Sequence, residues 1–249
     1  MSGEKLVLIT GAANGTGRAI SQHLAQTGYQ LLLVDSDADG LNSLASFIGE
    51  SHIFASLDLR KTSSIESLRN RIETSNLKIY GLINYAGSTN FGSISNFRDQ
   101  VLDEVLDLNI RATLALTKLA ISHADSEHGL RIILVGSPHM FAGDEDRGLY
   151  AVSKGSLITL NANINKHYFS KRIRSNIVIL GWTDTEGEEK LRLENGFDLD
   201  WRESSAVLST PLSRLIQPNE YNQVIEFLLS SDAELMSGST INMAGGLVI

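Results

Sequence analysis

Short apolar runs rich in β-branched residues alternate along this chain with longer stretches in which apolar side chains recur every three or four positions. Residues 6–10, 31–34, 53–57, 81–84, 132–135 and 177–180 are predicted strands, and their runs are apolar on both faces, as in a parallel sheet covered on each side. Helical periodicity fills 15–27, 38–48, 62–75, 98–123, 150–170 and 218–230, and a last short strand is expected at 239–243. Strict alternation of this kind predicts an α/β fold, a Rossmann-type doubly wound parallel sheet with helices on both faces. Ligands of such folds sit at the carboxyl ends of the strands, so those ends direct the search for chemistry.

The 249 residues contain three prolines, Pro138, Pro211 and Pro218, and no linker-like tract or repeat, which favours a single dinucleotide-binding and catalytic domain over 1–249. A charged segment from about 184 to 210 reads as an insertion near the substrate. The net charge of -8 argues against nucleic-acid or anionic-membrane partners and suits a small diffusing substrate. Cysteine is absent, which excludes disulfides, thiolate catalysis and Cys-ligated metals. The first five residues lack the regions of a signal peptide, and no uncharged apolar run approaches the roughly 20 residues that span a bilayer. A cytoplasmic location is expected.

The first strand runs into Thr10-Gly11-Ala12-Ala13-Asn14-Gly15-Thr16-Gly17, followed directly by a helical pattern. Glycines at a strand-to-helix turn let the backbone approach a pyrophosphate while the helix amino terminus offers unpaired N–H groups. The second strand ends in Asp35, whose carboxylate can accept from ribose hydroxyls and would repel a 2′-phosphate. Asp37 and Asp39 add to that repulsion and no Arg or Lys is expected nearby to reverse it, so NAD is favoured over NADP. The competing use of Asp35 or Ser36 is as a helix cap. Asp58, with Leu59, ends the third strand and could accept from an adenine amino group, and Asn84-Tyr85-Ala86-Gly87 ends the fourth with a small pair that lets the chain pass close to a cofactor.

Tyr150 and Lys154 lie four residues apart, on one face if the segment is helical, and Ser137 lies thirteen residues upstream at the end of an apolar run. A lysine charge a few ångströms from a phenol favours the phenolate, which suits acid–base work on a C–O bond.

These motifs fall in one chain order, and the sequence resembles the short-chain dehydrogenase/reductase superfamily over essentially its whole length. The resemblance rests on Thr10-Gly11-x-x-x-Gly15-x-Gly17, Asp58-Leu59, Asn84-x-Ala86-Gly87, Asn109, Ser137, Tyr150-x-x-x-Lys154 and Gly181-x-x-x-Thr185. It implies that Tyr150 exchanges a proton with the substrate oxygen, that Lys154 lowers the Tyr150 pKa and holds the nicotinamide ribose, and that Ser137 donates to the substrate oxygen. It implies further that Asn109 holds a water linking the lysine to solvent, that Thr185 reaches the carboxamide, and that the protein forms a homo-oligomer, a tetramer or dimer. No metal is required by this chemistry. Leu180 stands where the family usually has Pro, Tyr85 replaces the usual second Asn, and Thr16 occupies a commonly aliphatic position. Asn161, Asn163 and Asn165 make the helix after Lys154 unusually polar for a subunit contact.

Substrate selection is expected from His139, Met140 and Phe141 and from the segment after Thr185, carrying Glu186, Glu188, Glu189, Lys190 and Arg192, which reads equally as a closing cover or a solvated helix. An NAD cofactor favours alcohol oxidation, so the expected activity is interconversion of a secondary alcohol, a sugar, polyol or hydroxyacid, with its ketone. A 3-oxoacyl carrier-protein reductase-like ketoreductase is the alternative. A catalytically silent NAD-binding regulator is the alternative of another class.

Overall fold

The computed structural model describes residues 5–247 apart from 142, 195, 197 and 198, so part of the predicted 184–210 segment lies outside the described residues. Seven parallel strands, β1 (Leu6–Thr10), β2 (Gln30–Asp35), β3 (Ile53–Ser56), β4 (Ile79–Asn84), β5 (Leu130–Gly136), β6 (Ile173–Leu180) and β7 (Thr240–Met243), form one sheet in the order β3-β2-β1-β4-β5-β6-β7. The order reverses between β1 and β4, and a crevice opens at that switch point.

Alternation along the strands explains the two layers. Leu6 and Leu8 of β1 point into one core with Leu32, Leu82 and Ile132, while Val7 and Ile9 point into the other with Leu31, Leu33 and Ile83. Helices α1 (Gly15–Gln26), α2 (Ala38–Ile48) and α9 (Asn222–Leu229) cover the second face through Ile20, Leu24, Leu41, Leu44, Ile225 and Leu228. On the first face lie α3 (Thr62–Thr74), α5 (Thr113–Ser122) and α6 (Gly148–Tyr168), through Ile65, Leu68, Leu116, Leu119, Leu157 and Ile164. The buried side chains of α3, Ile65, Leu68 and Ile72, keep the three-and-four spacing that predicted it.

The helix predicted at 98–123 is not uniform. α4 (Asp99–Val105) passes into a π-helical stretch, Leu106–Ala112, before α5 begins, and Asn109 stands in that stretch. Inserted residues of this kind re-aim side chains and recur at functional sites.

Four strands, β2, β4, β5 and β6, are longer than predicted. β6 gains Ile173, Arg174, Ser175 and Asn176, all buried in spite of three polar side chains. Their partners lie about sixty residues on: Arg174 donates to the Glu234 carboxylate at 2.9 Å, and Asn176 donates to the Met236 carbonyl at 2.9 Å and accepts from the Ser239 N–H at 3.0 Å. No local pattern signals that satisfaction.

After β6 the chain forms α7 (Glu186–Glu194), a 3-10 turn at Leu199–Glu203 and the short α8 (Ser205–Leu208). Trp201, Val207 and Leu215 make a small core of their own with Trp182 against it. Arg202 ties the segment together by donating to Asp184 at 2.7 Å and to Glu189 at 3.1 Å. Among the described residues no helix is long and apolar enough to cross a membrane.

Candidate active site

A crevice of about 530 Å³ runs along the carboxyl ends of β1 to β6. Of the predicted residues it gathers Gly11, Asn14, Gly15, Thr16, Asp35, Asp58, Leu59, Ala86, Gly87, Ser137, Tyr150, Lys154 and Thr185. Gly17, Asn84 and Asn109 stand behind its wall, each with a visible job.

At one end is the glycine turn. A Cβ on Gly17 would lie 1.9 Å from the Gly11 carbonyl oxygen, so only glycine lets α1 start against β1. Gly15 has φ +52 and faces Thr185, whose methyl would lie 3.1 Å from a Cβ at that position. Thr185 accepts from the Glu188 N–H at 3.1 Å and so caps α7. The opposite wall is tied to the turn by the Ala86 N–H, which donates to Thr10 Oγ1 at 3.1 Å. Asn84 is a buried sheet residue that donates to Thr117 Oγ1 at 3.4 Å.

Asp35 holds the turn from the β2 side: its carboxylate accepts from the Ala13 N–H and the Asp37 N–H, both at 3.0 Å. The cap of α2 is Asp37, which accepts from Gly40 N–H at 2.9 Å and from the Asn14 amide at 2.8 Å, and these bonds hold its pKa below the usual carboxylate value. Neither Asp35 nor Ser36 is that cap. The expectation that no cation lies near is corrected. Arg18, remote from Asp35 in sequence, donates to the carbonyls of Ala13 at 3.3 Å and Gly40 at 3.2 Å and to Ser43 Oγ at 3.1 Å. The Gly40 and Ser43 contacts span from α1 to α2, so folding brings the guanidinium against the start of α2. At β3, Asp58 is held by Arg60, which donates at 2.9 and 3.0 Å and depresses the carboxylate pKa. Arg60 lines the crevice beside it.

Ser137, Tyr150 and Lys154 meet at the other end. Ser137 caps the short Pro138–Met140 turn after β5 and pulls the Tyr150 phenol pKa downward. Tyr150 and Lys154 leave the first turns of α6 together, and Lys154 Nζ donates to the Val135 carbonyl at 2.8 Å. Burial pushes Tyr150 up to about 12, against the opposing pull of Ser137, while Tyr85 adds to the rise and Arg147 opposes it. Burial likewise takes Lys154 down to about 8. The expected net lowering of the Tyr150 pKa is therefore corrected for this arrangement: desolvation outweighs the lowering pulls of Ser137 and Arg147, although Lys154 Nζ lies 5.8 Å from the Tyr150 ring centroid.

Asn109 stands behind Gly87 and Lys154. Its carbonyl accepts from the Ser88 N–H at 2.7 Å, and its amide donates to the Ser88 carbonyl and to Ser153 Oγ, both at 2.9 Å. It thus joins the β4 loop to α6, and the π-helical stretch aims it there. Ser153 passes the link on by donating to the Tyr150 carbonyl at 2.7 Å. Ser88 and Ser153 escaped the sequence reading because serine carries no period and gains its role only from its neighbours.

His139 turns an edge to the Tyr150 ring at 5.8 Å, and burial lowers its pKa. Leu180, Trp182, Glu188 and Arg192 line the substrate end with Arg147. Arg147 and Trp182 were not predicted; the position of Arg147 one turn before Tyr150 was the available signal. Tyr85 packs under the glycine turn, its ring carbon 3.0 Å from a Cβ placed on Gly17.

Fold and crevice together define an oxidoreductase that binds a nicotinamide cofactor. The chain belongs to the short chain dehydrogenase family, whose pattern matches residues 5–196. It is 25% identical over 243 residues to the 3-oxoacyl-[acyl-carrier-protein] reductase FabG of Escherichia coli, covering 98% of this chain and 97% of that protein. The human 3-oxoacyl-[acyl-carrier-protein] reductase is 25% identical over 244 residues, with 98% of each chain covered. A solved structure described as a glucose/ribitol dehydrogenase-type short-chain dehydrogenase/reductase from Brucella melitensis superposes with a TM-score of 0.86 at 26% identity, covering 99% of this chain and 97% of that one.

Proposed function

We propose that this protein is an NAD-dependent dehydrogenase that interconverts a secondary alcohol and its ketone. The observation that carries the reading is the meeting of Ser137, Tyr150 and Lys154 in the crevice that begins at the glycine turn and Asp35. The residues fit the cofactor. The turn Gly11 to Gly17 leaves room and N–H groups for a pyrophosphate, and Asp35 with Asp37 offers acceptors to ribose hydroxyls and repels a 2′-phosphate. Asp58 and Leu59 would flank the adenine, Asn84, Ala86 and Gly87 would shape the wall beside the ribose, and Thr185 would reach the carboxamide. When bound, the nicotinamide accepts or supplies the two electrons and hydrogen that the substrate carbon exchanges.

The chain supplies the proton chemistry. Tyr150 gives its phenolic proton to the carbonyl oxygen in reduction and takes the hydroxyl proton in oxidation. Ser137, which lines the crevice with Tyr150, donates to the substrate oxygen as negative charge grows there. Lys154 would hold the ribose and, once a ligand completes the site, favour the phenolate; Asn109 fixes the loop after β4 to α6, the helix that carries Lys154, and would order a water toward it. A phenol at about 12 stays protonated at neutral pH, so it carries the proton that reduction needs and must lose it before it can accept one in oxidation, and oxidation accelerates as pH rises. The 184–210 segment acts as the substrate cover of one catalytic domain, and the protein works in the cytoplasm.

Sugars and polyols are the leading substrates, in line with the description of the Brucella relative, with hydroxyacids a further class. The second reading is a 3-oxoacyl carrier-protein reductase-like ketoreductase, which the Escherichia coli and human relatives favour. Oxidised and reduced substrates of both kinds, assayed with NAD(H) and NADP(H) by absorbance of the reduced nicotinamide, separate the two. Tyr150→Phe should lose at least ~100-fold in turnover while binding NADH as the unaltered protein does. Unchanged turnover in that variant defeats the assignment, and NADH binding with no turnover in either protein indicates a silent cofactor-binding regulator instead.

A further inference from the structure

Arg147 immediately precedes α6 and is buried, with 8% of its surface exposed. It lines the crevice with Ser137, His139 and Tyr150. One guanidinium nitrogen donates to the Thr89 carbonyl, and the group lies 3.7 Å over the Phe91 ring, so its place is fixed by the loop after β4. That loop is fixed in turn, since the Gly92 N–H donates to the Asp146 carbonyl at 2.7 Å and the Leu149 N–H donates to the Gly92 carbonyl at 3.1 Å.

What the guanidinium lacks is a carboxylate. The other two buried arginines among the described residues, Arg131 and Arg174, share Glu234. Arg192 holds Glu188 at 2.8 Å, and Arg202 holds Asp184 and Glu189. Arg147 has no carboxylate within 4.0 Å among the described residues. Glu188 and Asp146 act on it from farther away, but Glu188 is engaged by Arg192 and Asp146 is exposed. A guanidinium stays charged in any protein, and a desolvated one calls for an opposite charge. A neutral polar or apolar side chain would have closed the loop at Thr89 without that cost.

We propose that Arg147 receives an oxyanion of the substrate, so that the alcohol oxidised here carries a carboxylate a few bonds from its reacting carbon. Arg147 precedes Tyr150 by three positions, at the cap of α6, and guanidinium and phenol line the same crevice. The planar fork of an arginine matches a carboxylate with two parallel N–H···O bonds. A phosphate ester would use the same fork. The inference rests on the dehydrogenase reading for the reaction but not for the binding event, and within that reading it selects hydroxyacids over neutral sugars and polyols.

The test uses paired alcohols, each secondary hydroxyacid with its neutral amide, beginning with 3-hydroxybutyrate and 3-hydroxybutyramide, and a phosphorylated polyol as the third arm. Initial rates are measured with NAD. In parallel, malonate and succinate, which cannot be oxidised here, are titrated into the enzyme–NADH complex. The unaltered protein is expected to prefer anionic alcohols, and Arg147→Gln to lose roughly 10- to 100-fold in kcat/KM for them, mainly through KM, with NADH affinity retained. Arg147→Lys should recover part of the loss, because the charge returns without the fork. Carboxylate binding should fall by a similar factor in Arg147→Gln. Equal use of acids and amides by the unaltered protein overturns the proposal, as does an undiminished acid preference in Arg147→Gln, or the absence of dicarboxylate binding that depends on Arg147. A protein that binds malonate through Arg147 and oxidises none of the alcohols defeats the dehydrogenase reading and leaves the anion site standing. Oxidation of acids and amides alike does the reverse.

Discussion

Tyr150 and Lys154 show how far a contact's effect depends on its surroundings. The spacing alone suggests a lysine that acidifies a phenol, yet burial raises the phenol to about 12 and lowers the ammonium to about 8. The lysine shift carries a stability signature. Its folded pKa lies below its ordinary value of 10.5, so between about pH 8 and 10.5 the unfolded chain binds the extra proton and stability rises with pH. Denaturant unfolding of the unaltered protein and of Lys154→Met should therefore diverge, the unaltered protein gaining on the order of 1–3 kcal/mol relative to the variant from pH 7.5 to 10. A constant difference refutes the burial account. Asp35 carries the cofactor choice at the same scale. Asp35→Ala should cut kcat/KM for NAD and raise it for NADP, moving their ratio by roughly 10- to 100-fold, because it removes a ribose acceptor and a repulsive charge while Arg18 stays at the turn. Stronger turnover with NADP by the unaltered protein defeats the NAD preference itself.

At the level of elements, the sheet and its helices followed from periodicity wherever the apolar pattern was continuous. β6 shows the limit. Ile177 to Leu180 announced a strand, but Arg174, Ser175 and Asn176 hid its first half, since their burial depends on Glu234, Met236, Ser237 and Ser239. Asn176→Val should cost roughly 1–3 kcal/mol in denaturant unfolding, leaving the Met236 carbonyl and Ser239 N–H without partners, and a loss under a few tenths contradicts this account. The asparagines of α6 are read differently once their faces are known. Asn161 and Asn165 point to the β6–β7 connection, with Asn165 donating to the Asn161 carbonyl at 2.7 Å and the Ser175 carbonyl at 3.0 Å. Of the three, only Asn163 joins the outer groove between the π-helical stretch, α5 and α6. Likewise the π-helical aim of Asn109 is invisible in a sequence whose period barely falters there.

For the molecule as a whole, that groove has the composition of a buried surface. It holds about 420 Å³ between Ile110, Leu114, Leu157 and Leu160, and Leu114, Val152 and Ile158 are exposed around it or nearby on the same elements. The homo-oligomer that the family resemblance implies, a tetramer or dimer, would cover these side chains. Sedimentation velocity should then give a mass of two or four chains, and Leu114→Glu should shift it toward one by placing a charge in the contact. A monomer at micromolar concentration contradicts the assembly.

By itself the sequence determined the strand and helix order, the glycine turn, the placement of Ser137, Tyr150 and Lys154, and the acidic end of β2, because each follows from a local period or a fixed spacing along one element. The tertiary structure alone decided that Arg18 reaches α2, that Ser88 and Ser153 brace Asn109, and that, among the described residues, Arg147 lies charged and without a carboxylate beside Tyr150. Desolvation and charge pairing depend on everything within a few ångströms in space, and no spacing along the chain encodes that neighbourhood.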